Sequence, residues 1–133
     1  MSGVTTTGQL ATLTRQHSLS GNESVLFLRQ AINYFGCRLL VIWDGGTIHR
    51  SQDVKQFLAA GGAPQIHLER FPAYAPELNP DECVWHHLKD VELRNLCCND
   101  LVHLNQELDL AFRRIRRRPD LIRSFFGQAG LSL

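Results

Sequence analysis

The sequence predicts an α/β fold, and three stretches predict it. Leu39-Leu40-Val41-Ile42-Trp43 is an unbroken apolar run that stops at Asp44, as a strand buried on both faces would. Gln65 to Glu69, with Ile66 and Leu68 facing one way, reads as a second strand after a short helical segment. Strand, helix and strand in this order imply a right-handed parallel crossover. The third stretch is Phe71 to Lys89, in which Pro72, Pro76 and Pro80 hold an extended loop that turns abruptly into a helix. Each proline ring fixes its own φ and pushes the residue before it toward extended backbone.

From the N-terminus, Val4 to Gln16 reads as a β-hairpin arm. Thr5-Thr6-Thr7-Gly8 can turn, and Leu10, Thr12 and Thr14 alternate with Ala11, Leu13 and Arg15. Ser20-Gly21-Asn22 supplies cap residues for a helix carrying Val25, Leu28, Ala31, Ile32 and Phe35 at helical spacing, with Gly36 as its stop. After the strand that ends at Asp44, Ser51 can cap a short helix with Val54, Phe57 and Leu58 on its inner face, closed by Gly61-Gly62. In the next helix Asn79 suits the N-cap and Pro80 the first helical position. Glu82 falls at the third, where it would complete a capping box. Val84, Trp85 and Leu88 would pack down. Asp100 caps a long helix whose apolar stripe is Leu101, Leu104, Leu108, Ala111, Phe112 and Ile115. Pro119 interrupts it, and Leu121, Ile122, Phe125 and Phe126 form a last helix before Gly127.

No stretch reads as a linker, so residues 1–133 are expected to be a single domain. Residues 1–92 would make a strand and helix core with the acidic motifs, and 93–133 the C-terminal helices with a basic cluster. A chain of 133 residues can bury a real core, and its 44% hydrophobic and 20% charged content is that of a soluble globular protein. The net charge of +1 announces no nucleic-acid partner, but its distribution is uneven. Residues 1–92 carry 7 Lys/Arg against 9 Asp/Glu, and residues 93–133 carry 7 against 4. Cys37, Cys83, Cys97 and Cys98 make neither a CxxC pair nor a zinc spacing, which fits thiols in a reducing cytoplasm. No apolar run approaches the ~20 residues of a membrane span, and Met1 to Gly8 lacks the regions of a signal peptide. No membrane partner is expected.

Two carboxylates stand out by position. Asp44 lies at the carboxyl end of a parallel strand, where α/β sheets place ligands, and Gly45-Gly46 would let backbone approach a metal or phosphate. The same Asp-Gly pair also starts ordinary turns. Glu82 has a capping role by sequence, yet a carboxylate held at a helix start is equally preorganised as a ligand. Asp81 and Glu77 lie close by.

The run Tyr74 to Lys89, with its Tyr, Pro, Asn-Pro, Glu, Trp and Lys, resembles the signature of DDE transposases of the mariner-like and bacterial insertion-sequence superfamily. Leu39 to Arg50, Leu-Leu-Val-Ile-Trp-Asp-Gly-Gly-Thr-Ile-His-Arg, looks like the second acidic motif of the same family. The resemblance implies a ribonuclease-H-like fold and Mg²⁺-dependent (or Mn²⁺-dependent) DNA strand cleavage and transfer. Such chemistry uses hard cations held by carboxylates, a pair about 4 Å apart serving an in-line displacement at phosphorus. Asp44 and Glu82 match the family's second and third carboxylates. The first, expected on a strand before the hairpin arm, finds no counterpart, since the earliest acidic residue is Glu23. The expectation is therefore a truncated or split domain, inactive alone. Its partners would be DNA and either the missing upstream fragment or full-length transposase. The alternative is a non-catalytic, DNA-binding or transposase-associating regulator.

Around this pair, His49 resembles a recurrent family histidine and reads as a site wall, a phosphate contact or plain loop structure. Lys89 lies about two turns past Glu82, within reach of DNA phosphate. Arg113, Arg114, Arg116, Arg117 and Arg118 put five cations in six positions, which suits either phosphate neutralisation or a solvated helix end complementing its dipole. Trp85 reads as core, and His86-His87 as surface polarity.

Overall fold

The computed structural model describes residues 1–62 and 64–133. In chain order the elements are β1 (Ser2–Val4), β2 (Leu10–Thr12), α1 (Gly21–Phe35), β3 (Leu39–Trp43), α2 (Gln52–Phe57), β4 (Ile66–Arg70), α3 (Pro80–His87), α4 (Leu101–Arg116) and α5 (Pro119–Gln128). Helices and strands mix as an α/β chain should. They fall into two compact units: residues 17–76 with Met1, and residues 2–16 with 77–133.

In the first unit, the start and stop of α1 follow from local chemistry. Ser20 is the N-cap, and a capping box ties it to Glu23, whose Oε2 accepts from the Ser20 amide at 2.8 Å. Those hydrogen bonds from Ser20 hold the Glu23 carboxyl below its ordinary range. The helix ends at Gly36, whose φ of 63° is left-handed backbone that glycine adopts without strain and whose amide returns to the Ile32 carbonyl at 2.9 Å. β3 and β4 pair in parallel, from Leu39 opposite Ile66 to Trp43 opposite Arg70. α2 lies between them in the chain, capped by Ser51, whose Oγ accepts from the Val54 amide.

Leu28 and Phe57 from the helices pack with Ile66, and Val25, Ile32, Leu39, Val41, Trp43, Leu58 and Leu68 close around them. The helices thus cover one face of the β3–β4 pair. The other face is open: Leu40 is 63% and Ile42 50% exposed. This corrects the expectation of a strand buried on both faces. An unbroken apolar run supplies residues fit for two interfaces, but only one interface is built here.

In the second unit, β1 and β2 form the antiparallel hairpin, Val4 opposite Leu10, around a turn in which the Thr5 amide bonds the Gln9 carbonyl at 3.0 Å. The strands begin two residues earlier than expected and pairing stops at Thr12. α3, α4 and α5 enclose a core of Leu10, Val84, Leu88, Ala111, Phe112, Ile115, Ile122 and Phe125. Trp85 meets Phe112 edge to face at 5.9 Å, so it is packing material, as its helical spacing suggested. Arg116 fixes the hairpin to α4, its Nε donating to the Leu10 carbonyl at 3.1 Å and its Nη2 to Thr12 Oγ1.

Asp100 caps α4 through the His103 amide at 2.8 Å. The apolar stripe of α4 is buried only toward its C-terminal half, at Ala111, Phe112 and Ile115, while Leu101 is 60% exposed. α5 runs through Gly127 to Gln128 rather than stopping before it, with Ile122, Phe125 and Phe126 buried.

Candidate functional site

Asp44 leaves the end of β3 with its carboxylate exposed. The end of the strand is fixed by the Phe71 amide, which donates to the Trp43 carbonyl at 3.0 Å. The side chain then folds over the loop: Oδ1 accepts from the Gly46 amide at 2.9 Å. A Cβ at residue 46 would lie 2.9 Å from that same Oδ1, so Gly46 is needed for close approach. Gly45 meets no such neighbour.

His49 sits in a single 3₁₀ turn, Thr47–Arg50, that follows the two glycines. Its ring stacks on the Trp43 indole with centroids 4.3 Å apart and planes 19° from parallel. Nδ1 lies 3.3 Å from Ser24 Oγ, and Nε2 lies 3.4 Å from Asp44 Oδ1. Ser24 is fully buried on α1, one turn past the cap. Burial pushes the His49 pKa down, and the Asp44 carboxylate opposes that. Among the described residues, Asp44 Oδ2 has no hydrogen-bond partner. One oxygen of this carboxylate is held and the other is open.

Glu82 is reached differently. Asn79 caps α3 and Pro80 occupies its first turn, as expected, but Asn79 Oδ1 accepts from the Asp81 amide at 3.1 Å. The Glu82 amide bonds the Asn79 carbonyl at 3.1 Å. The expected reciprocal box with the Glu82 side chain is absent among the described residues, because the cap bonds one residue earlier. The Glu82 carboxylate is exposed and, among the described residues, has no hydrogen bond.

Its neighbour Asp81, which the sequence marked only as nearby, is the one tied down. Both its oxygens lie 2.8 Å from the Ser2 hydroxyl, and Trp85 Nε1 donates to Oδ2 at 3.3 Å. Burial raises the Asp81 pKa, and these two hydrogen bonds work against the rise. Ser2 is 79 positions away in sequence, and no local pattern could have announced the pairing.

The basic residues divide by what already occupies them. Arg114 pairs with Glu92 at 2.5 Å, and Arg116 is spent on the hairpin. Arg113, Arg117 and Arg118 are exposed, and none has a hydrogen bond or ion pair through its side chain among the described residues. Lys89 is likewise exposed, in the turn Leu88–Glu92 that continues α3. His86 pairs with Asp90 at 2.9 Å on the surface. His87 does not fit the surface reading: its side chain is 13% exposed, lies 3.5 Å from Glu92 and tilts against Phe125.

Asp44 and His49 are therefore brought together within residues 17–76, while Glu82, Lys89 and the arginines belong to the other unit. Both carboxylates offer exposed hard oxygen donors of the kind Mg²⁺ takes. No group of three His, Cys, Asp or Glu side chains converges on a metal position among the described residues. The four cysteines are free. No described helix is long and apolar enough to cross a membrane.

Compared with known families, residues 1–101 match the one described as DDE superfamily endonuclease. No curated protein matches the chain.

Proposed function

The chain belongs to the DDE superfamily of endonucleases, and from that premise we propose that it serves metal-dependent DNA strand cleavage and transfer of the transposase type. Within the superfamily, the Tyr74 to Lys89 and Leu39 to Arg50 motifs favour the mariner-like and insertion-sequence branch and a ribonuclease-H-like core. The observation that carries the reading is Asp44, set at the carboxyl end of a parallel strand with one oxygen held by Gly46 and the other open.

Asp44 and Glu82 would hold Mg²⁺ or Mn²⁺, two of the carboxylates that the family's chemistry requires. The metal supplies an activated oxygen nucleophile and charge stabilisation at phosphorus. The chain's own residues do the rest. Asp44 offers a fixed oxygen, and Glu82 offers a carboxylate at a helix start, where the helix dipole favours negative charge. His49 would serve as a site wall, a reading that its stacked and largely covered ring supports. Lys89, Arg113, Arg117 and Arg118 would neutralise DNA phosphates, while Arg114 and Arg116 serve the fold first.

Mn²⁺ titration of the chain, alongside Asp44→Ala and Glu82→Ala, tests the proposal. Binding weakened in both variants supports it, and binding indifferent to both refutes the metal assignment. Salt-dependent binding to a DNA duplex tests the basic residues. Each arginine that contacts a phosphate should reduce the slope against log salt by about 1 when replaced by glutamine.

A further inference from the structure

We propose that His49 is the positioning residue of Asp44, presenting Nε2–H to Oδ1 so that Oδ2 alone is turned outward toward a cation. The inference rests on the metal reading of Asp44 and deepens it. A carboxylate has no hydrogen to donate, so the ring nitrogen 3.4 Å from Oδ1 must carry one for the contact to attract. With the ring neutral, Nδ1 is then the acceptor, and the Ser24 hydroxyl, 3.3 Å from Nδ1 and 3.5 Å from the Ser20 carbonyl, is placed to donate to the nearer of the two. That hydroxyl is fully buried, which excludes it as a nucleophile despite the Ser-His-Asp order of the contacts. Its use is to set the tautomer.

One feature acts on Oδ1 directly, and two act on the ring beside it. The Gly46 amide donates to Oδ1 at 2.9 Å, and the Cβ-less Gly46 leaves room for it. The Trp43 indole, on the residue just before Asp44, stacks on the imidazole and fixes its plane. Ser24 Oγ, 3.3 Å from Nδ1, holds the opposite edge of the ring, so that the Nε2 edge points at Asp44. A ligand carboxylate whose inner oxygen is already committed loses less rotamer freedom when the outer one meets a metal. Outer partners of this kind typically alter metal affinity 10–100-fold when removed.

Two measurements decide the matter. In ¹⁵N spectra of the chain, the His49 resonances (identified by their loss in His49→Phe) should show a protonated Nε2 and an unprotonated Nδ1. The opposite tautomer overturns the proposal. In Mn²⁺ titrations, His49→Phe keeps a ring to stack on Trp43 but removes the donor, and should weaken binding about tenfold with its cooperative melt retained. His49→Gln, whose amide can still donate, should recover part of that loss. Wild-type affinity in His49→Phe also overturns the proposal. If Asp44→Ala binds Mn²⁺ as well as the wild type, or the wild type binds none, the metal reading of Asp44 is what fails. The nitrogen spectrum then decides by itself whether His49 holds the carboxylate.

Discussion

Asp44 and Glu82 are both carboxylates at a junction between loop and regular structure, but they are held by opposite means. The Asp44 side chain accepts from the Gly46 amide and lies 3.4 Å from the His49 ring, with the Ser24 hydroxyl on the ring's other side, all within residues 17–76. Glu82 is gripped only by its backbone. The Asn79 cap, the Pro80 ring and the anchored neighbours Asp81 and Trp85 fix the start of α3, and the Glu82 side chain has no hydrogen bond among the described residues. The carboxyl end of β3 is therefore organised locally, whereas the Glu82 carboxylate is only as well placed as the helix that carries it.

The strongest way to break that contrast is to loosen the helical core. Phe112 is 2% exposed and meets Trp85 edge to face. Phe112→Ala should cost about 3–5 kcal/mol, read by chemical denaturation. If the placement of Glu82 depends on its helix, a milder Phe112→Leu should disturb the backbone resonances of Asp81 and Glu82. Unchanged resonances would separate Glu82 from the core beneath it.

Asp81 gives the next largest effect and tests the anchoring directly. Asp81→Ala leaves the Ser2 hydroxyl and Trp85 Nε1 without their acceptor and should destabilise by about 1–3 kcal/mol. Asp81→Asn keeps an acceptor and removes the charge. Because burial raises the Asp81 pKa, the folded state favours the protonated form. The stability this gives is fully present below the ordinary value of 3.8 and is lost as pH rises through the folded value. Asp81→Asn should match the wild type at the acid end and melt higher at neutral pH. A lower melting temperature at neutral pH would mean that the charge, through the start of α3, outweighs its burial.

Gly46→Ala sharpens the contrast from the other side. Its φ of −52° suits alanine, so stability should change little, within about 0.5 kcal/mol. The new Cβ would nevertheless stand 2.9 Å from Asp44 Oδ1 and displace the carboxylate. The variant should lose Mn²⁺ affinity without losing its melt, while the same change at Gly45, where nothing is crowded, should do neither.

What the sequence revealed was whatever the chain decides within a few residues. Ser20 with Glu23, Gly36, Ser51, and the Asn79-Pro80 entry into α3 were all legible, because caps and proline act through fixed dihedrals and nearby amides. Contacts between distant segments were not. Asp81 looked incidental because Ser2 lies 79 positions away, and the contact of His49 with Ser24 was not visible because the two are 25 positions apart. His87 read as surface until Glu92 and Phe125 were seen to enclose it. In the Asn79 cap the motif was right and its partner wrong, since Asp81 and Glu82 offer amides one residue apart and sequence spacing does not choose between them.

The smallest expected effect tests the one element that was misread outright. If β3 were buried on both faces, Leu40→Thr and Ile42→Thr would each remove a core side chain and cost roughly 2 kcal/mol or more. With both residues at least half exposed, and threonine well suited to a strand, each should shift stability by less than about 0.5 kcal/mol. Val41→Thr, on the covered face of the same strand, supplies the control and should cost more than either, because its hydroxyl enters the cluster around Leu28. A large loss at Leu40 or Ile42 would mean that something covers that face in solution, and the strand that carries Asp44 would then be braced from both sides.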